Sequence, residues 1–271
     1  MCQRYREAVA TPPNKAMQPW GTHFARAPRL IACTLGRLAL MRTVMDTPEF
    51  DRFLFRGGDD IATVTTGRAR IERRPLGSVD LPDGRVYACD PLVPMDMAPF
   101  AQRVEPGVYE AVLFVAVRTD PDVEGLFLAA ERNVAAALAI GTEIPVSWRR
   151  ATREGGEPDS GPYGVDSGTG CITGSRAAES LFANNEAAGA EIVETLKQVA
   201  GAVVALDGGA AAVFGAGDGD GVYETWCGYD ADGAIPMILT DFANLKSAAM
   251  VTVVHAKWAK SAAKRWWQFW K

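Results

Sequence analysis

The sequence predicts an α+β fold: a mainly antiparallel β-sheet, arranged as a sandwich or an open barrel, with two inserted helices and a C-terminal helix. Segments rich in β-branched and aromatic residues fill most of 61–151 and 202–242, which is typical of strands. Two consecutive segments within 175–200 instead space their apolar residues as a helix does. Runs of strands with helices inserted between them favour an antiparallel sheet over alternating βαβ units.

The first run of strands precedes a glycine-rich loop at 154–170. Strands are predicted at 61–66, 69–74, 81–92, 107–117 and 145–151. The third of these begins with an Asp83–Gly84 turn. The fourth, GVYEAVLFVAV, is an almost continuous apolar run and suits a central strand. The secondary structure of segment 133–141 is ambiguous between helix and strand, because its alanines favour a helix.

The second half begins with the two predicted helices, at 175–182 and 185–200, followed by strands at 202–206 and 211–214. Asp232–Gly233 then lies between the strand-like segments GVYETWCGYD and AIPMILTDF, a strong hairpin signal. Because side chains alternate along a strand, Trp226 and its neighbours at even positions are predicted to face one side of the sheet. Tyr223 and Cys227 are predicted to face the other side.

Charge divides the chain into three parts. The net charge of the chain is −5. Residues 1–40 carry +5 and residues 242–271 carry +6, so the body between them must carry −16. We therefore predict a basic N-terminal extension (1–40), for which disorder is the expectation, a single acidic α+β domain (41–242) and a basic, tryptophan-rich C-terminal helix (243–271). An acidic body repels phosphate, so no nucleic-acid binding is expected of the core.

Three ordered blocks carry a family resemblance. They are LPDGRVYACDPLV (81–93), YGVDSGTGC (163–171) and GDGVYETWCGYDADG (219–233), the last followed by LTDF. With the linking segment 99–113 they cover roughly residues 75–242. The chain resembles the bacterial domain-of-unknown-function 4241 family. The resemblance implies a common fold and brings no established activity.

The acidic third block does not have the spacing of a calcium-binding EF-hand loop. An EF-hand needs oxygen ligands at positions 1, 3 and 5, glycine at 6 and glutamate at 12, and registers starting at Asp218 or Asp230 both fail. Aspartate before glycine is explained by turn chemistry. Asp90, Asp166 and Asp241 differ because each ends a predicted strand and none precedes glycine. The predicted ligand-binding residues are Asp90, Asp166, Gly168, Asp220, Tyr223 and Trp226.

Two functional classes follow. Both histidines, His23 and His255, lie outside the acidic body, which disfavours a histidine-based nucleophile pair or metal triad there. A non-enzymatic binding or interaction module with no cofactor is therefore the preferred prediction, and whether the chain is an enzyme stays open. The alternative is a carboxylate-based, metal-dependent hydrolase binding Mg²⁺ or Ca²⁺. Its catalytic candidates are Asp166, Asp230 and Asp241, and its metal candidates are Asp166, Asp220 and Asp230.

The C-terminal segment suggests a partner. It holds four of the seven tryptophans, and at helical spacing its lysines gather on one side while most aromatics form a separate face. Such a helix either binds an anionic membrane surface or an acidic protein partner through residues 245–271, or packs its aromatic side chains on the body of the chain itself. The five cysteines are far apart in sequence and form no CxxC motif, which favours thiols in a reducing compartment. The predicted location is cytoplasmic, with peripheral membrane binding as an alternative.

Overall fold

The computed structural model of the chain describes residue 50 and residues 61–63, 67–94, 98–119, 130–158, 160–183 and 185–242. All described residues belong to one compact unit. The predicted N-terminal extension and the predicted C-terminal helix, with its lipid-binding segment, therefore lie outside the described residues.

Twelve strands and two helices make up the described part of the chain. In order they are β1 (Ile61–Thr63), β2 (Gly67–Leu81), β3 (Tyr87–Cys89), β4 (Gly107–Arg118), β5 (Glu131–Ala139), β6 (Ser147–Arg150), β7 (Tyr163–Val165), β8 (Thr169–Thr173), α1 (Ser175–Ala183), α2 (Asn185–Leu196), β9 (Gly201–Leu206), β10 (Gly209–Gly215), β11 (Gly221–Tyr229) and β12 (Met237–Asp241).

The strands form two antiparallel sheets. The larger has the order β1-β2-β4-β5-β12-β11-β6, and β7 pairs with β11 as well. Two short strands therefore line the same edge of β11: β7 pairs with its first residues and β6 with its last. The smaller sheet has the order β3-β8-β10-β9. Segments far apart in sequence thus become neighbours around β8 and β11, which hold two of the three sequence blocks.

Apolar side chains form layers on both sides of the sheets. Residues from both sheets, including Leu113 of β4 and Phe214 of β10, form one buried cluster between them. A second cluster, containing Phe50 and Trp226, covers the opposite face of the larger sheet. The helices cover the outer face of the smaller sheet, where Ile192 of α2 is fully buried. Every one of these layers removes apolar surface from water, which is the main stabilising term.

A bulge lets the two sheets approach each other. The pairing of β2 with β4 shifts register between Pro75 and Gly77, where Gly77 has a φ of 133°. A Cβ atom at Gly77 would come within 3.1 Å of the Val203 side chain on β9. The glycine is needed because its backbone conformation is strained for other residues and the neighbouring strand leaves little room.

The predicted elements are largely confirmed. Strands occupy the predicted segments, two helices are inserted before β9, and the Asp232–Gly233 hairpin joins β11 to β12. The predicted glycine-rich loop at 154–170 is wrong in part, because β7 and the first residues of β8 lie within it and pair with β11 and β10. The ambiguous segment is strand β5, because its small side chains are buried on both faces between β4 and β12 and this outweighs helix propensity. The described strands form two packed sheets rather than one closed barrel. No helix within the described residues is long and apolar enough to cross a membrane.

Candidate functional site

A buried carboxylate joins two turns from different sequence blocks. Asp90, which follows β3, is only 2% exposed. One of its oxygens, Oδ1, accepts hydrogen bonds from the backbone N–H groups of Leu92 (2.9 Å) and Val93 (3.1 Å). The other, Oδ2, accepts from the N–H groups of Asp166 (2.9 Å) and Ser167 (2.8 Å). The Ser167 hydroxyl donates to Oδ1 as well, at 2.7 Å.

Local sequence explains why this arrangement forms. Asp90 precedes Pro91, which disfavours further strand pairing and begins a turn closed by the Asp90 side chain itself. The second turn, Asp166–Gly168, joins β7 to β8 and needs the left-handed φ of 68° at Gly168. Five donors satisfy the acceptor capacity of a carboxylate without a cation. The Asp90 carboxylate therefore acts as a structural tie between the turns.

The third block meets the second through strand pairing. Tyr163 of β7 lies opposite Tyr223 of β11, and the Gly168 carbonyl accepts a hydrogen bond from the N–H of Ala216. The Tyr223 hydroxyl donates to the carbonyl of Gly219 (2.7 Å) and lies 3.0 Å from the carbonyl of Ala216. All three blocks therefore meet at this end of the molecule.

Two predicted metal ligands stand close together here. Val165 pairs with Gly221, so Asp166 and Asp220 occupy the same end of the β7–β11 pair, and both side chains are exposed. A positive charge is already nearby, because Arg132 donates to the Gly217 carbonyl (2.8 Å) and forms a 3.1 Å ion pair with Asp218. The structure thus brings together Asp90, Asp166, Gly168 and Asp220.

The remaining candidates lie elsewhere. Asp230 follows the far end of β11, where Oδ1 accepts the N–H groups of Asp232 and Ala234, both at 2.9 Å, and closes the hairpin. Roughly 30 Å of extended strand separates Asp230 from Asp220. Asp241 is buried on β12, opposite Glu224, on the outer face of the larger sheet. The four carboxylates of the hydrolase prediction therefore do not converge.

Tyr223 and Trp226 lie on opposite faces of the larger sheet, as strand alternation predicts. Tyr223 belongs to the cluster between the sheets and Trp226 to the outer cluster. Trp226 contacts Phe50 edge-to-face at 5.9 Å, and the Arg150 guanidinium lies 5.4 Å from its ring centre. Both aromatic side chains are core elements in this structure, and one cleft on one face cannot contain both.

Sequence reasoning missed two polar residues that bind buried groups, Ser167 and Arg153. Ser167 supplies two of the five donors to Asp90, and Arg153, 5% exposed, donates to the carbonyls of Ala98 (2.6 Å) and Ala88 (2.8 Å). The Arg153 guanidinium also lies 4.6 Å from the Phe100 ring centre. No periodic signal marks these residues, because Arg153 lies in a loop and Ser167 in a turn.

Burial favours the neutral forms of titratable side chains in the core between the sheets. Desolvation raises the pKa of Tyr163, whose hydroxyl lies near Thr240 and the thiols of Cys89 and Cys171. Burial alone raises the pKa of Cys227 to about 12. Tyr163 and Cys227 therefore stay protonated at neutral pH, which makes them poor nucleophiles.

The structure is an antiparallel α+β domain of two packed sheets. The three sequence blocks contact one another at one end, where buried Asp90 of the first block accepts hydrogen bonds from the second block. The model of the family described as "Protein of unknown function (DUF4241)" matches residues 79–240, more than half of the chain. The chain belongs to this family, and the resemblance seen in the three blocks is confirmed. No curated protein and no solved structure matches the chain.

Proposed function

We propose that the chain is a non-enzymatic binding or interaction module that uses no metal cofactor. The observation that carries this proposal is the separation of the acidic candidates along β11, with Asp220 before the strand and Asp230 after it. Carboxylates that share one cation must lie within about 5 Å of each other, because each oxygen–metal bond is roughly 2.0–2.6 Å long. Asp220 and Asp230, separated by roughly 30 Å of strand, are too far apart to share one ion.

The surroundings of the nucleophilic groups support the same proposal. Cys89, Cys171 and Cys227 are at most 1% exposed, and Tyr163 and Tyr223 are buried as well. Among the residues that the structure describes, no three His, Cys, Asp or Glu side chains form a group that could hold a metal ion. A substrate would thus meet turns and edge strands rather than activated side chains.

The second proposal is a metal-dependent hydrolase, and it now depends on two carboxylates only. Asp166 and Asp220 stand at the same exposed end of the β7–β11 pair and could bind Mg²⁺ or Ca²⁺ together. The Arg132 guanidinium, which forms an ion pair with Asp218 nearby, is a positive charge that disfavours a cation at this end.

Thermal unfolding with Mg²⁺, Mn²⁺ and Ca²⁺ separates the two proposals. We expect the midpoint of the full chain to move by less than about 1 °C, because an ion that does not bind the native state cannot stabilise it. The Asp166→Asn and Asp220→Asn variants should respond in the same way as the parent. Asp232→Asn, in an exposed turn at the far end of β11, is the matched control. A rise of several degrees in the parent and in Asp232→Asn, lost in the other two variants, would establish the metal site instead.

The proposed partner is an anionic membrane surface bound through residues 245–271, and an acidic protein surface is the other outcome. The proposal rests on the lysines and tryptophans of this segment and places the protein in the cytoplasm, at the membrane periphery.

Charge removal tests the lipid proposal. The triple variant Lys257→Gln, Lys260→Gln and Lys264→Gln should bind phosphatidylserine-containing vesicles roughly 100-fold more weakly, at about 1 kcal/mol per basic residue near the surface. The matched control removes three exposed charges from the body, by Arg103→Gln, Arg176→Gln and Lys197→Gln. Co-sedimentation measures both. Equal losses in the two triple variants, or no binding by the parent chain, would contradict the lipid proposal.

A further inference from the structure

Two buried thiols face each other across neighbouring strands. Cys89 on β3 is the register partner of Cys171 on β8, although 82 positions separate them in sequence. Their sulfur atoms lie 3.3 Å apart, and their exposed fractions are 1% and 0%. A disulfide has a sulfur–sulfur bond of about 2.05 Å and joins residues whose Cα atoms are about 4.4–6.8 Å apart, the range for facing strand residues. The backbone pairing therefore already suits a covalent bond.

The surroundings also suit a disulfide. The thiols belong to the cluster beneath the helices, which includes Leu181, Ile192 and Val213. A disulfide is apolar, so closing the pair leaves no buried polar group unsatisfied among these side chains. Asp90, the next residue after Cys89, already ties the same two blocks by hydrogen bonds.

From this geometry we propose that Cys89 and Cys171 are a redox-modification site, oxidised to a cross-strand disulfide by a small-molecule disulfide such as oxidised glutathione. The proposal is independent of whether the chain is a binding module or a hydrolase. Its effect is to link the first and second sequence blocks covalently beside the Asp90 tie.

The reaction takes two thiol–disulfide exchanges. The Cys89 thiol loses its proton to water, and the thiolate attacks one sulfur of the small disulfide, which releases the first small thiolate. The Cys171 thiol then loses its proton, and its sulfur attacks Cys89 Sγ in the mixed disulfide and releases the second small thiolate. The two cysteines are oxidised together by two electrons, and the small disulfide is reduced to two thiols.

The fold sets the order and the rate of these steps. Cys89 is on a three-residue strand at the edge of the smaller sheet, whereas Cys171 is on a strand paired on both sides. Opening of the edge strand exposes Cys89 first, because short edge elements open most easily. The hydrogen bond with Cys89 and burial raise the pKa of Cys171 well above its usual range, so oxidation of the closed protein is slow.

The test is a disulfide map of the folded, full-length chain. The reduced protein is incubated with oxidised glutathione, remaining thiols are blocked with N-ethylmaleimide, and trypsin digestion is carried out without reductant. Cleavage after Arg85, Arg103, Arg153 and Arg176 places the two cysteines in peptides 86–103 and 154–176. We expect these peptides to be found linked, with two hydrogens lost. The unfolding midpoint should rise by roughly 10 °C, because the bond closes a loop of about 80 residues in the unfolded chain.

Two variants control the assignment. In Cys171→Ala, the linked peptide should disappear and glutathione should remain attached to Cys89, since the resolving thiol is gone. In Cys227→Ala, which removes an equally buried thiol, the link should form as in the parent. Linkage that appears only after unfolding in guanidinium, linkage of Cys89 to another cysteine, or a link that lowers the unfolding midpoint would each overturn the proposal.

Discussion

Replacing Asp90 with alanine is expected to lower the free energy of unfolding by about 4 kcal/mol. The substitution removes the acceptor of five hydrogen bonds, four of them from backbone N–H groups that cannot move away without breaking both turns. A buried donor without a partner costs about 1–3 kcal/mol. The expected loss is smaller than the sum over five donors, because Asp166 is exposed and water can therefore reach some of the donors in its turn. Urea denaturation of the parent and the variant measures the difference.

Two further substitutions make this prediction specific. Asp90→Asn keeps one oxygen as the acceptor for Leu92, Val93 and the Ser167 hydroxyl. Its amide nitrogen would face the backbone N–H groups of Asp166 and Ser167, which then lose their acceptor. We therefore expect the free energy of unfolding to fall by about 2 kcal/mol. Asp230→Ala removes an acceptor of two backbone hydrogen bonds at an exposed hairpin and should cost only about 1 kcal/mol. Equal stability of Asp90→Ala and the parent would refute the structural role, and ligand binding would then be the remaining prediction for Asp90.

Much of the fold follows from local patterns in the sequence. The apolar run of β4 predicts a central strand, Asp232–Gly233 predicts the hairpin, and alternation along β11 predicts that Tyr223 and Trp226 face opposite sides. The helices are predicted from spacing, although α2 ends at Leu196 rather than at residue 200. Each of these features depends on residues close together in the chain, where periodicity and turn chemistry are decisive.

The candidate site could be predicted only in part. The three blocks name the segments that meet, but Asp90 contacts Ser167 across 77 positions, and no local signal sets the register that brings them together. Cys89 and Cys171 face each other for the same reason, although the sequence shows only widely spaced cysteines. Pairing between distant strands is decided by packing of the whole core, and local patterns do not encode it.

The remaining large effect is expected at the turn before β3. Gly84 closes the LPDG turn with a φ of 68°, and its carbonyl accepts a 3.0 Å hydrogen bond from the N–H of Val104. A Cβ atom at Gly84 would overlap the carbonyl oxygen of Val104, and neither partner is a side chain that could rotate away. Gly84→Ala should therefore cost about 4 kcal/mol, the sum of left-handed strain and overpacking against fixed backbone.

Gly233→Ala separates these two contributions. Gly233 has a similar φ of 84°, but apart from its two chain neighbours no residue has an atom within 4 Å of the position that a Cβ would take. Its substitution should cost only about 1 kcal/mol, the strain of the left-handed conformation alone. Urea denaturation of both variants gives the difference, which we assign to the contact with Val104. Similar losses in the two variants would show that the segment at 104 yields to the added methyl group, and that the LPDG turn does not hold the linking segment 99–113 in place.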